Sequence, residues 1–329
     1  IYLIHYHTNI DEPIYKEADI TEVIVPRNPI LASRILSKLD LKIVHYTSLS
    51  ILSPIYWIKS KKVATIHGCS SYYLPHQFSL ITRLHEKYIR PFLVNKMDYV
   101  FTVSNASKKL IQYHDRYSPE KIVLTYNAVD SEFTPANEKE NSKFVDNQFI
   151  PFILHVSKYS ERKNPLIILN AFKKFNQRNK DYRLLIAGSG WDNTRVKAFI
   201  HDNALIDNIE LLGYVDKKRL IALLQNAEVF IFPSLYEGFG IPNLEAMACG
   251  CPVATSHSGA IPEIVGASAL LLTDKNSSTE LEQKISSITN DKDLRKELIR
   301  KGLRTAKKYN WKDSAVKILS TYDSCTIIN

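Results

Sequence analysis

Short apolar runs separated by segments of helical periodicity recur along the whole chain, and this alternation limits the fold more than any other feature. Residues 1–7 (IYLIHYH), Ile20–Val25, Lys42–Tyr46, Lys62–Ile66, Tyr99–Val103 and Lys121–Tyr126 read as strands of a first half. Phe152–Val156, Arg183–Ile186, Glu210–Leu212 and Val229–Phe232 read as strands of a second. Between them, Ile30–Leu39, Leu166–Asn176 and Lys217–Asn226 place apolar residues three and four apart, the spacing of one helix face. Strands apolar on both sides and separated by helices assemble into parallel sheets covered on both faces. At ~150 residues per domain, the 329 residues suit two such α/β domains. The expected division is a first domain over 1–136, a polar linker over 137–149, a second domain over 150–310 and a last helix over 311–329.

The chemistry concentrates in Phe230–Ala254, FIFPSLYEGFGIPNLEAMACGCPVA. A strand stops at Pro233, a loop with Gly238 and Gly240 follows, and Pro242 opens a short helix that Gly250 closes. Free N–H groups and the positive dipole end at such a helix start favour an anion. Glu237 lies in the loop and Glu245 is expected in the first turn, so two carboxylates that accept from paired hydroxyls flank a phosphate site. The plainer reading has Glu245 complementing the dipole and Glu237 as an exposed loop carboxylate. Two further loops follow strand ends, where open α/β sheets bind ligands. One carries His67 and Gly68; the other, Ser157–Asn164, carries Lys158, Arg162 and Lys163 and could face a diphosphate rather than solvent. The AGSG turn at Ala187–Gly190 would also fit a dinucleotide oxidoreductase, but Gly188–Thr194 lacks the third glycine of that fingerprint.

Net charge is +9, divided as +3 in the first 149 residues and +6 in the remainder. An excess this diffuse suits an anionic ligand or an acidic membrane surface and does little for nucleic acid. The four cysteines form no zinc spacing; Cys249 and Cys251 flank Gly250 at an expected buried junction, and a reduced, cytoplasmic setting follows. No signal peptide and no apolar run near 18 residues is present, and the chain begins at Ile1 without methionine, as a fragment would. Phe78–Lys96 is amphipathic, basic and aromatic, with Pro91 expected to bend or split it. The expectation is a domain helix with its apolar side on the sheet; a helix lying on an anionic bilayer is the alternative.

The string FPSLYEGFGIP…LEAMACG closely resembles the glutamate–seven–glutamate signature of retaining glycosyltransferases of family 4. VSNASKKLI…PEKIVLTYNAVDSEF, TIHG, ERKN and SHSGAIPEIVG resemble the same family, so the likeness covers roughly Lys42 to Ser324. It implies the GT-B architecture: two Rossmann-like domains facing each other across a cleft, with the last helix crossing back to the first domain. Relatives open with a strand and a glycine-rich loop near the donor diphosphate and the acceptor. Here the chain starts at what looks like the second strand.

The resemblance gives Glu245 the donor ribose and Glu237 the donor-sugar hydroxyls. It gives Lys163 and Arg162 the departing diphosphate, and His67 the donor sugar from the other domain. Gly188, Tyr214, Val215, Gly238, Phe239, Gly240, Ile241, Pro242 and Leu244 complete the donor site. The implied reaction is retaining, metal-independent transfer of a hexose from a nucleotide sugar to a glycan or lipid-linked hydroxyl, with no cofactor. The mannosyltransferase-like look of TIHG, ERKN and SHSGAIPEIVG suggests GDP-mannose. The alternative is a non-catalytic sugar-nucleotide-binding relative that scaffolds glycan assembly. The expected location is cytoplasmic, with peripheral contact to an anionic membrane face and no nucleic-acid partner.

Overall fold

A computed structural model describes residues 1–6, 20–68, 70–136 and 150–327. The expected linker over 137–149 and Cys69 lie outside the described residues. Twelve strands occur among them: β1 (Tyr2–His5), β2 (Thr21–Ile24), β3 (Ile43–Tyr46), β4 (Lys61–Ile66), β5 (Tyr99–Thr102), β6 (Ile122–Leu124), β7 (Phe152–Val156), β8 (Arg183–Ala187), β9 (Ile209–Gly213), β10 (Val229–Phe232), β11 (Val253–Ser256) and β12 (Leu270–Leu272). Every pairing is parallel.

The second half is a six-stranded sheet in the order β12-β11-β10-β7-β8-β9. Its central strands need no polar face: Val229, Phe230, Ile231 and Phe232 are all fully buried, as a strand covered by helices on both sides requires. The order is that of a doubly wound nucleotide fold, and its reversal falls between β7 and β10, where crossovers leave in opposite directions and open a crevice.

The first half pairs β3-β4-β5-β6 in one sheet and β1 with β2 in another. The expected buried strand at the start of the chain is corrected here. Tyr2 of β1 and Ile24 of β2 are exposed, and only one side of the pair, through Ile4, Val23 and the following Val25, joins the first-half core. The helix Trp311–Ile327 lies against the first sheet: Tyr322 Oη is within 2.5 Å of His45 Nδ1, and Cys325 packs with Val63 and Phe101. Burial holds the His45 imidazole down at about 4, so it is neutral there.

Phe78–Lys96 splits, as Pro91 leads one to expect, but its apolar stripe does not lie on the sheet. It divides into a helix Leu80–Leu84, a π-helical turn His85–Ile89 and a helix Arg90–Val94. Pro91 has no N–H and its ring crowds the carbonyl four residues back, and the wider π turn just before it absorbs that misfit. The stripe Ile81, Leu84, Tyr88 and Phe92 faces outward, while Arg90, Leu93 and Val94 face the protein. Buried Arg90 holds this arrangement, donating from Nε to Asp115 Oδ1 at 3.1 Å, from Nη2 to Asp115 Oδ2 at 2.5 Å and from Nη1 to Glu86 at 2.9 Å.

Candidate active site

The loops after β7 and β10 flank the crevice at the reversal of strand order, and they bring three of the expected residues into contact. Glu237 Oε1 accepts from Lys163 Nζ at 2.6 Å and from Arg162 Nη1 at 2.6 Å; Arg162 Nη1 also donates to the Tyr236 carbonyl at 3.0 Å. Lys163 is buried, and its ammonium lies 4.4 Å from the centroid of the Phe232 ring. Burial lowers the Lys163 pKa, and the Glu237 carboxylate works against that fall. One carboxylate thus balances two cations, leaving a net positive charge at the head of the crevice.

The loops are locked by their own main chain. Leu235 N donates to Arg162 O at 2.8 Å, Ala260 N to Glu237 O at 2.9 Å, and Asn164 Nδ2 to Lys275 O at 2.7 Å. Beneath them His155 is fully buried and bridges Ile231 O and Ser157 Oγ, each at 2.8 Å. A carbonyl only accepts, so Nδ1 carries the proton and Nε2 accepts from the serine. Burial depresses this histidine to about 3 and keeps it neutral.

The helix after the β10 loop runs Ile241–Ala248, with Gly240 as a left-handed cap at φ 93°. Among the described residues the amides of Gly238, Phe239, Gly240 and Ile241 donate no hydrogen bond, and Pro242 has none to give. Glu245 therefore falls in the second turn, not the first, because the helix starts at Ile241. Its carboxyl has no hydrogen-bond partner among the described residues, and burial, with the nearby Asp130, pushes it up to about 7.

Leu244 is fully buried and the Phe239 ring is turned into the core against Tyr309, 5.6 Å between ring centres, so only main-chain atoms of Phe239 are open to a ligand. Gly188 (φ 128°) crowds the Ser157 carbonyl and donates its N–H to Gly213 O at 2.7 Å, which joins the AGSG turn to the Gly213–Tyr214–Val215 turn. Tyr214 stands in solvent and Val215 is half-buried.

From the other half, exposed His67 and Gly68 follow β4 and pack directly on Gly238. Three contacts close the halves around this point. Ser104 Oγ donates to Gly238 O at 2.8 Å, Tyr73 stacks on Tyr236 at 4.5 Å, and Glu263 caps the helix Asn105–Asp115 by accepting from Asn105 N at 2.9 Å and Ala106 N at 3.2 Å. Asn105 Nδ2 and Tyr126 Oη also donate to Glu263, each at 2.9 Å, making four donors in all. Asn243, Tyr236, Ser104 and Glu263 were not expected at the site. Asn243 is wholly buried with neither amide atom partnered among the described residues, and a polar side chain amid the apolar residues of IPNLEAMA is the signal that could have found it.

A basic crevice, free amides at a helix start and two carboxylates beside them form a setting for a phosphorylated, hydroxyl-rich ligand. Residues 137–305 match the family model Glycosyl transferases group 1, and residues 6–133 match Glycosyltransferase Family 4. The chain belongs to the group 1 glycosyl transferases. Among its relatives, the O-antigen chain mannosyltransferase B of Escherichia coli is 28% identical over 280 residues, 78% of this chain and 73% of that protein. The GPI3 subunit of the phosphatidylinositol N-acetylglucosaminyltransferase of Saccharomyces cerevisiae is 24% identical over 254 residues, 74% of this chain and 55% of that protein. The solved structure of Anabaena HepE in complex with UDP and glucose superposes with a TM-score of 0.80 at 19% identity, covering 98% of this chain and 91% of that one. This glycosyltransferase has the GT-B fold, two parallel-sheet α/β domains. No helix among its described residues is long and apolar enough to cross a membrane.

Proposed function

We propose that this glycosyltransferase moves a hexose from a nucleotide-diphosphate sugar to a hydroxyl of a glycan or lipid-linked acceptor, with retention at the anomeric carbon. The observation that carries the reading is the meeting of Lys163, Arg162 and Glu237 at the crevice beside the open amides of Gly238–Ile241. In the proposed reaction the donor diphosphate rests on those amides. As the glycosidic bond breaks, Lys163 and Arg162 release their hold on Glu237 in favour of the phosphate oxygens, where negative charge grows. Glu237 then takes sugar hydroxyls, Glu245 takes the ribose, and His67 reaches the sugar from the opposite loop. The departing phosphate oxygen removes the acceptor proton on the same face, so no separate base is required.

The two cations supply the charge neutralisation that a divalent metal gives elsewhere, and we infer metal-independent turnover. GDP-mannose is the first donor to try: the E. coli relative is named a mannosyltransferase, while the UDP-bound neighbour makes UDP-sugars the second. A thermal-shift panel of nucleotide sugars identifies the donor, since a ligand that binds only the folded state raises its stability. With that donor, turnover in excess EDTA should equal turnover without it, and Lys163→Ala should lower kcat by about 10²-fold, as for loss of one charge-stabilising group. Loss of turnover on chelation, restored by a divalent ion, would overturn the metal-independent reading; an unaffected Lys163→Ala enzyme would remove the lysine from its role.

A further inference from the structure

The outward face of residues 80–92 gathers exposed apolar side chains with cations beside them. Leu80 is 65% exposed, Ile81 81%, Leu84 48%, Tyr88 61% and Phe92 51%. Arg83, Lys87 and Lys96 are exposed beside them, and two lie over exposed rings: Lys87 Nζ is 5.1 Å from the Tyr88 centroid and Lys96 Nζ 5.3 Å from that of Phe92. Glu86, the one carboxylate between Ser70 and Met97, is turned inward onto Arg90. The face that remains is apolar and cationic with no acid in its own segment.

It is also held firmly from behind. The Arg90–Asp115–Glu86 cluster, the Tyr72 hydroxyl on the Glu86 carbonyl at 2.6 Å, and buried Leu93 and Val94 fix the segment to the first half. In the other direction the chain leads through Pro75 to Tyr73, which stacks on Tyr236 at the mouth of the cleft.

We propose that this face docks the enzyme on an anionic lipid bilayer. The exposed apolar side chains enter the boundary between headgroups and acyl chains, about 5–10 Å deep, and Arg83, Lys87 and Lys96 meet the lipid phosphates. The charge pattern selects this occupant over a second copy of the chain: a two-fold contact would set the same three cations against themselves. Docked in this way, the Tyr73–Tyr236 end of the cleft lies at the membrane surface. Given the proposed transfer reaction, the acceptor is then an amphiphile whose head group is presented from the same leaflet.

The test is co-sedimentation of the full chain with sucrose-loaded vesicles of phosphatidylglycerol and phosphatidylcholine, against vesicles of phosphatidylcholine alone. The wild-type chain should bind the anionic vesicles and lose most of that binding in 0.5 M salt, a condition with a screening length of about 4 Å. The double variant Ile81→Asp, Leu84→Asp should bind at least tenfold less, and Arg83→Ser with Lys87→Ser should lose the preference for anionic lipid. These positions are exposed, so thermal unfolding should be unchanged, and turnover of a short-chain soluble acceptor should survive. Equal binding by wild type and the double aspartate variant overturns the proposal, as does absence of binding to anionic vesicles. A wild-type dimer that the aspartates dissolve reassigns the face to self-association. Vesicle binding needs no donor, so its failure and a failure of the transferase reading are separately visible.

Discussion

Gly238 is the point at which the second half touches the loop after β4, and a single methyl group there should hold the cleft ajar. A Cβ built on Gly238 stands 2.2 Å from the His67 carbonyl oxygen, 3.2 Å from Gly68 Cα and 3.3 Å from the His67 carbonyl carbon. An ordinary carbon–oxygen contact is about 3.3 Å, so Gly238→Ala demands a displacement of about 1 Å. Every clashing atom is main chain, and no rotamer change can relieve it. The Ser104–Gly238 hydrogen bond of 2.8 Å and the Tyr73–Tyr236 stack of 4.5 Å span the same joint and would loosen with it. Groups meeting a donor from opposite sides would then be misplaced by about the distance that lowers a rate some 10²-fold, equivalent to ~2.7 kcal/mol in the barrier. Gly238 does not have a left-handed φ, so alanine adopts its backbone conformation and the second half keeps its own fold. The expected result is a kcat about 100-fold lower, with donor affinity changed only a few-fold and an unfolding midpoint close to wild type. Steady-state kinetics with the donor selected by thermal shift, together with a thermal melt, reads all three. An alanine variant turning over at the wild-type rate would refute a closed cleft as the working state.

Two further outcomes follow from the same geometry. The Glu245 carboxyl, raised to about 7 in the folded chain, ionises near 4.5 when unfolded, so the folded state keeps its proton longer and stability falls as pH rises through that window. Glu245→Gln removes the titration; urea unfolding should show its stability relative to wild type improving by about 2 kcal/mol between pH 5 and pH 8, while nucleotide-sugar binding weakens. A pH-independent difference would show that the carboxyl is not held neutral by burial. Glu263→Ala strips four donors of their shared acceptor and leaves the helix Asn105–Asp115 uncapped by the other half. It should cost about 1–2 kcal/mol in chemical denaturation, and a loss below the error of the method would make the contact incidental.

The strands of the second sheet were legible because Val229–Phe232 and Phe152–Val156 are apolar at every or nearly every position, which only a doubly covered parallel strand accommodates. Lys163, Arg162 and Glu237 were legible as loop residues after strand ends, since strand order in a doubly wound sheet brings those ends together. Phe78–Lys96 was misread because periodicity locates an apolar stripe without saying whether the sheet or the solvent lies under it; Arg90, buried on the opposite side by Asp115, decides that. Glu245 moved one position, from the end of the first turn into the second, because the helix starts at Ile241 after the Gly240 cap and not at Pro242. The contacts of Gly238, Ser104 and Glu263 were beyond reach for another reason: each joins residues more than 130 positions apart in different halves, and no local pattern encodes how two halves dock.

The first sheet is finished by a helix from far downstream. Val63 and Phe101 are fully buried partly beneath Tyr322 and Cys325, 224 residues beyond Phe101. At about 5–20 residues per second, a ribosome needs some 10–45 s to supply that cover after Phe101 has been made. Until then the nascent first half carries an apolar strip with its final neighbours missing. Its maturation is thereby tied to synthesis of the second half, and a chain stopped short of Tyr322 would leave that strip open to other unfinished chains.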